Sequence, residues 1–312
     1  MVILNTKKMK TPHIAKNWLL LLTLLGPVTV AAQQHALEPK EKGYAQLTGI
    51  NMYYEIYGEG DPLLLLHGSF WPIAFTWGEL IPMLAKDRKV IAVELDGHGH
   101  TPLTDRDMTY AQHATDVAEI IRYLKVDRLD VFGYSFGGTV ALQLMVDHPD
   151  LVNKAVIMST AHHQKGWNAS VMDHISQARP DFLDQTPIKP LYDSIAPNPA
   201  DWTKFVTKQL AFELKPFDIG YENIKAIQIP TLYIMGDNDG VTNEQKMVFM
   251  EAAGMGRAGD TEGLSQSQML ILPGRTHVGL AMDTDLLMQH ITPFLNGTTV
   301  DKFLQLMQQM QQ

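Results

Sequence analysis

The sequence predicts an α/β fold, a mostly parallel, doubly wound sheet of about eight strands with an inserted helical segment. Three observations predict it. Short, nearly continuous apolar runs recur along the chain, as expected of strands buried on both faces. Segments of helical spacing separate several of them, the alternation that builds a parallel sheet. One interval, 161–225, breaks the alternation and carries helix-like stretches instead.

In chain order, two alternating runs at 45–47 and 52–56, joined through Gly49-Ile50-Asn51, predict an antiparallel hairpin that opens the sheet. The buried strands follow at 62–66 (PLLLL), 90–95 (VIAVEL), 129–132 (LDVF), 155–158 (AVIM), 231–235 (TLYIM) and 269–272 (MLIL). Helical periodicity predicts helices over 110–124, 139–148 and 283–295. The α/β core therefore spans 43–160 and 226–296. The insertion at 161–225 is punctuated by Pro180, Pro187, Pro190, Pro197 and Pro199 and carries Trp167, Phe182, Tyr192, Trp202, Phe205 and Phe212. That is too much apolar bulk for a solvated loop, so these rings either roof a pocket or form a small core of the insertion itself. Residues 254–267, rich in Gly, Ser and charge, predict a surface loop before the last strand. In the tail, 297–312, Phe303, Leu306, Met307 and Met310 fall on one stripe, which predicts a final amphipathic helix packed on the body.

The N-terminal segment reads differently. Lys7, Lys8, Lys10 and Lys16 precede an apolar run at 18–30, and Val30 with Ala32 supplies the small pair that cleavage before Gln33 requires. The run is short for a membrane span, so 1–32 predicts a secretory signal peptide, with an uncleaved anchor as the alternative. A secreted or periplasmic protein whose mature form is not embedded in membrane follows. The chain has no cysteine, which excludes disulfides, thiol catalysis and cysteine-based metal sites. A net charge of -9 argues against a nucleic-acid surface and leaves a small-molecule substrate as the expected partner.

The chemistry concentrates in Gly133-Tyr134-Ser135-Phe136-Gly137-Gly138, set between a predicted strand and a predicted helix. A serine exposed on a tight strand-to-helix turn needs small residues on both sides, because any side chain there meets the neighbouring backbone. Its hydroxyl is a poor nucleophile until a base takes its proton. His277, in Pro273-Gly274-Arg275-Thr276-His277 just after the last strand, lies on the same predicted sheet edge and is the candidate base. The loop Gly236-Asp237-Asn238-Asp239-Gly240 offers two acids. Asp239, further past the strand end, is the candidate partner of His277, and Asp237 is read as a turn cap. An oxyanion needs two backbone N–H donors. Phe136 is the candidate for one, and either Ser69 or Phe70, in His67-Gly68-Ser69-Phe70, for the other. Trp71, Tyr134 and His162 are candidate pocket residues, and no cluster at ligand spacing predicts a metal site.

These motifs resemble the α/β-hydrolase superfamily over about 44–295, in particular its lid-bearing branch of small serine esterases, lactonases, carbon–carbon bond hydrolases and cofactor-free haloperoxidases. The family's D-x-R-G-x-G-x-S segment is represented by Asp96-Gly97-His98-Gly99-His100-Thr101, read with His98 in place of the arginine. A serine at 135 is unlike the relatives that use an aspartate nucleophile. The resemblance implies a hydrolase of a small or medium ester or lactone that needs no cofactor, and the N-terminal segment adds the expectation that it is exported. Cleavage of a carbon–carbon bond or peracid formation by the same triad, and a hydrolase-like ligand sensor, are the alternatives.

Overall fold

The computed structural model describes residues 37–310, so the predicted signal peptide and its cleavage point lie outside the described residues. Eight strands form one sheet: β1 (Glu41–Leu47), β2 (Ile50–Tyr57), β3 (Asp61–Leu66), β4 (Arg88–Val93), β5 (Leu129–Tyr134), β6 (Val152–Met158), β7 (Thr231–Asn238) and β8 (Gln268–Thr276). Their order is β1-β2-β4-β3-β5-β6-β7-β8. The β1–β2 hairpin and the β2–β4 pair are antiparallel, and every other pair is parallel. This is the α/β-hydrolase fold.

The unbroken apolar runs have a simple cause. Along β3, Leu64 and Leu66 enter the core on one face while Leu63 and Leu65 enter the core on the other, and Ile91/Val93 and Val90/Ala92 divide likewise along β4. On the first face lie α1 (Tyr110–Tyr123) and α2 (Phe136–Asp147). Thr109 caps α1 by accepting from the Gln112 N–H, and Ala114, Val117, Ala118 and Ile121 form its buried stripe. Helix α2 begins three residues earlier than its periodicity indicates, at the residue after Ser135.

Between β6 and β7 the described chain forms α3 (Ala169–Gln177), α4 (Ile188–Ile195) and α5 (Trp202–Glu213), with no strand. After β7 comes α6 (Asn243–Ala252), and after β8 come α7 (Thr284–Asn296) and α8 (Lys302–Met310). Residues 254–267 are not all loop, since Gly259–Glu262 makes a helical turn. Leu287, Ile291, Phe294 and Leu295 of α7 pack on the second face, and Gly297 closes that helix in the left-handed conformation.

The tail forms the expected helix but does not pack as expected. Phe303, Leu306, Met307 and Met310 are all exposed. Periodicity specifies an apolar stripe on a helix; it does not supply a surface to cover it.

At the end of the sheet opposite the strand C-termini, the Arg88 guanidinium donates to Asp130 Oδ2 at 2.6 Å, with both side chains buried. Asn153 donates to the other carboxylate oxygen at 3.0 Å, and Arg88 also reaches Asn296 Oδ1 of α7 at 3.1 Å. Removing one partner strands the other charge in the interior. Asp130→Ala is expected to cost about 3–5 kcal/mol, read as a lower urea midpoint with unchanged slope, and Asp130→Asn markedly less.

Candidate active site

Parallel strands end on one edge, so residues that follow β5, β7 and β8 meet there. Ser135 follows β5 directly and adopts φ 53° and ψ −116°, space that residues with a side chain avoid. Its N–H donates to Met158 O at 2.9 Å, and the Gly137 N–H donates to His67 O at 3.0 Å, tying the turn to β6 and to the loop after β3. Glycine is required on both sides of the serine by close approach. A Cβ on Gly133 would lie 2.3 Å from Gly137 O, and one on Gly137 would lie 2.2 Å from Leu66 O. Ser135 itself is partly accessible.

The Ser135 hydroxyl lies 3.0 Å from His277 Nε2, and His277 Nδ1 lies 3.0 Å from Asp239 Oδ1. With the proton on Nδ1, the ring donates to Asp239 and accepts from the serine. Sheet register explains why Asp239 meets it: Asn238 of β7 pairs with Thr276 of β8, so the next residue on each strand is Asp239 and His277. Asp237 is exposed and accepts instead from the Asn238 side chain at 2.7 Å and the Arg275 N–H at 3.2 Å. Burial raises the Asp239 carboxyl, but the hydrogen bond and charge of His277 outweigh it. With help from the Ser159 hydroxyl and the Gly236 backbone, they hold it below the usual carboxylate range.

The loop after β3 distinguishes the two oxyanion candidates. The Phe70 N–H donates to His98 Nε2 at 3.1 Å, so it is already used, and Phe70 is corrected to a structural role. Ser69 is left as the loop's candidate, opposite the N–H of Phe136 at the first position of α2. His98 Nδ1 lies 3.0 Å from Asp96 O, which fixes its proton there and leaves Nε2 to accept. His67 repeats the arrangement one layer below: Nδ1 lies 2.8 Å from Gly68 O, and Nε2 accepts from the Leu95 N–H at 3.0 Å. Gly97 and Gly99 both have positive φ, 77° and 53°, and occupy the two glycine places of the D-x-R-G-x-G-x-S pattern. In that register His98 sits between the glycines, Asp96 stands where the arginine is expected, and Glu94 replaces the first aspartate.

The three candidate pocket residues divide. Trp71 is partly exposed, 5.9 Å from the Tyr134 ring. Tyr134 is buried; its ring stacks on His277 at 5.3 Å and its hydroxyl donates to His277 O at 3.1 Å, so it supports the histidine from behind. His162 is buried, with Nδ1 2.8 Å from Gln245 Oε1. Both are corrected from pocket wall to scaffold, because their neighbours are set by packing that chain position does not reveal.

Two contacts at the site carry no sequence signal. Trp167 meets the His277 ring edge-on at 5.5 Å. Glu213, at the end of α5, accepts from the Ser69 hydroxyl and, at 2.8 Å, from Gln209 Nε2. Among the described residues no group of three or more His, Asp or Glu is arranged to hold a metal ion.

A family model described as the alpha/beta hydrolase fold matches residues 61–201. The chain is 39% identical over 117 residues to a soluble epoxide hydrolase of Corynebacterium sp. (strain C12), covering 36% of this chain and 40% of that protein. It is 26% identical over 220 residues to a pimeloyl-[acyl-carrier protein] methyl ester esterase of Legionella pneumophila (strain Corby), covering 65% and 85%. The chain thus spans about two fifths of the length of the first of these relatives. A carboxylesterase from Bacillus subtilis matches in structure with TM-score 0.63 at 18% identity, covering 84% of this chain and 93% of that one.

Three buried histidines behind the oxyanion loop make the fold sensitive to acid. Burial lowers His67 to about 4 and His113 to about 3, and lowers His98 well below its ordinary value. Each is neutral when folded, whereas the unfolded chain takes protons near pH ~6.5. Their contribution is complete above about pH 6.5 and is lost as the pH falls from there toward 4. Among the described residues neither ring nitrogen of His113 has a hydrogen-bond partner, and its ring lies edge-on to Phe136 at 5.0 Å. Denaturant melts at about pH 7.5 and 4.5 are expected to show a large acid loss, smaller in His113→Phe.

Proposed function

We propose that this member of the α/β-hydrolase superfamily is an exported serine hydrolase that cleaves a small or medium carboxylic ester or lactone through an acyl-serine intermediate. One observation carries the reading: a serine at a strained strand-to-helix turn shares its hydroxyl with His277 Nε2 at 3.0 Å, while Nδ1 of the same ring faces the buried Asp239. Export rests on the signal-like segment 1–32 alone.

The steps follow from this geometry. His277 takes the serine proton as Oγ attacks the carbonyl carbon, and Asp239 stabilises the imidazolium that forms. The developing oxyanion is held by the N–H groups of Phe136 and Ser69, which are fixed before the reaction and need no reorganisation. His277 passes its proton to the departing alkoxide, then activates water to release the acid. Cleavage of the carbon–oxygen bond and water addition balance without any cofactor. Helices α3 to α5 act as a lid, and Trp167 and Trp71 wall the approach to the serine. The named activity of the epoxide hydrolase fits less well, since a serine in place of a carboxylate nucleophile would form an ether on opening an epoxide rather than a hydrolysable ester.

Steady-state hydrolysis of p-nitrophenyl acetate, butyrate and octanoate by the mature chain tests the reading. Ser135→Ala is expected to abolish turnover, and Asp239→Asn to lower kcat by about 10⁴-fold, the effect of imposing the wrong histidine tautomer. Asp237→Asn should leave kcat within a few fold. A larger loss in Asp237→Asn than in Asp239→Asn would refute the assignment of the acid. Labelling of Ser135 by a fluorophosphonate without ester turnover would instead favour a carbon–carbon substrate or a sensor.

A further inference from the structure

Helix α5 brings a carboxyl group to the oxyanion loop, and the triad chemistry has no use for it. Both protein donors to Glu213 go to Oε1: the Ser69 hydroxyl and Gln209 Nε2 at 2.8 Å. Oε2 accepts no hydrogen bond among the described residues, and the side chain is only partly buried. Gln209 is fully buried, and its Oε1 has no hydrogen-bond partner among the described residues. Buried acceptors are normally paired, and an unpaired one on a side chain bonded to both Ser69 and Glu213 marks a place where a ligand supplies the donor. The helix is held there firmly. Phe205 and Leu210 belong to the insertion's core, Phe212 packs on Phe136, and Gln164 Nε2 donates to Glu213 O at 3.2 Å.

We infer that Glu213, with Gln209, forms a specificity subsite for a hydrogen-bond donor carried on the substrate's α carbon, as in esters and lactones of α-hydroxy or α-acylamino acids. It rests on the reading of Ser135 as nucleophile, because the position follows from the oxyanion. A carbonyl oxygen held by the Ser69 N–H lies about 3 Å from that nitrogen. Substituents on the neighbouring α carbon then fall beside the Ser69 side chain, where Glu213 waits. Burial raises the Glu213 carboxyl, against the opposing effects of Ser69, Gln209 and His277. A carboxylate on the same carbon of a substrate would place two acidic groups in one confined site, where one must take up a proton at a cost in binding. The subsite therefore favours hydroxyl or amide substituents and rejects anionic ones.

The experiment compares ethyl lactate, ethyl propanoate and monoethyl malonate by pH-stat, with p-nitrophenyl butyrate as a substrate lacking either substituent. Wild-type enzyme is expected to prefer lactate over propanoate by about tenfold or more in kcat/KM, the effect of one hydrogen bond to a carboxyl group, and to turn over malonate least. In Glu213→Gln the outward oxygen is replaced by an NH2 donor. The lactate preference should collapse and malonate should improve relative to propanoate. Equal wild-type rates on lactate and propanoate, or an unchanged ratio in Glu213→Gln, overturn the subsite and leave the serine mechanism standing. Failure of wild-type enzyme on every ester, butyrate included, overturns both. The wild-type ratio requires no variant, so poor folding of Glu213→Gln does not shield the proposal.

Discussion

Ser135 is held in a backbone conformation that costs on the order of 1–3 kcal/mol, and much of the molecule is arranged to keep it there. The Gly137 N–H to His67 O bond joins the turn to the loop after β3, and the Ser135 N–H to Met158 O bond joins it to β6. These two bonds make the serine part of the sheet's edge rather than of a free loop. They also tie the first turn of α2 to the loop that carries Ser69, so the proposed nucleophile and oxyanion donors are positioned by the same backbone.

Behind that loop, specificity of placement comes from neutral histidines rather than from charge. His67 and His98 each use one ring nitrogen as donor to a nearby carbonyl and the other as acceptor from a backbone N–H. Only a neutral imidazole can do both. Burial keeps the rings neutral, and the hydrogen bonds fix which nitrogen carries the proton. The same dry environment that makes this bracket rigid is what exposes it to acid.

The aromatic-rich insertion serves more than one purpose. Tyr192, Trp202 and Phe205 make a small core of their own, Phe212 joins the main core against Tyr110 and Phe136, and Trp167 alone of these rings touches His277. The expectation of a small core within the insertion is met by Tyr192, Trp202 and Phe205. Which ring does which depends on where each helix lies against the body, and composition is silent on that.

The eight strands, the serine turn and the identities of Ser135, His277 and Asp239 were legible in the sequence because they rest on local rules: strand periodicity, the size limit at Gly133 and Gly137, and placement just after a strand. What the sequence could not carry were relations between distant segments. Only the β7–β8 register puts Asp239 rather than Asp237 next to His277. Only the fold shows that His98, some thirty residues away, takes the Phe70 N–H, or that Glu213 reaches Ser69 across 144 positions. It likewise turned Tyr134 and His162 into supports and left the stripe on α8 uncovered. A residue's own chemistry and its near neighbours are written along the chain, whereas its hydrogen-bond partners and its exposure are properties of whatever the folded chain brings against it.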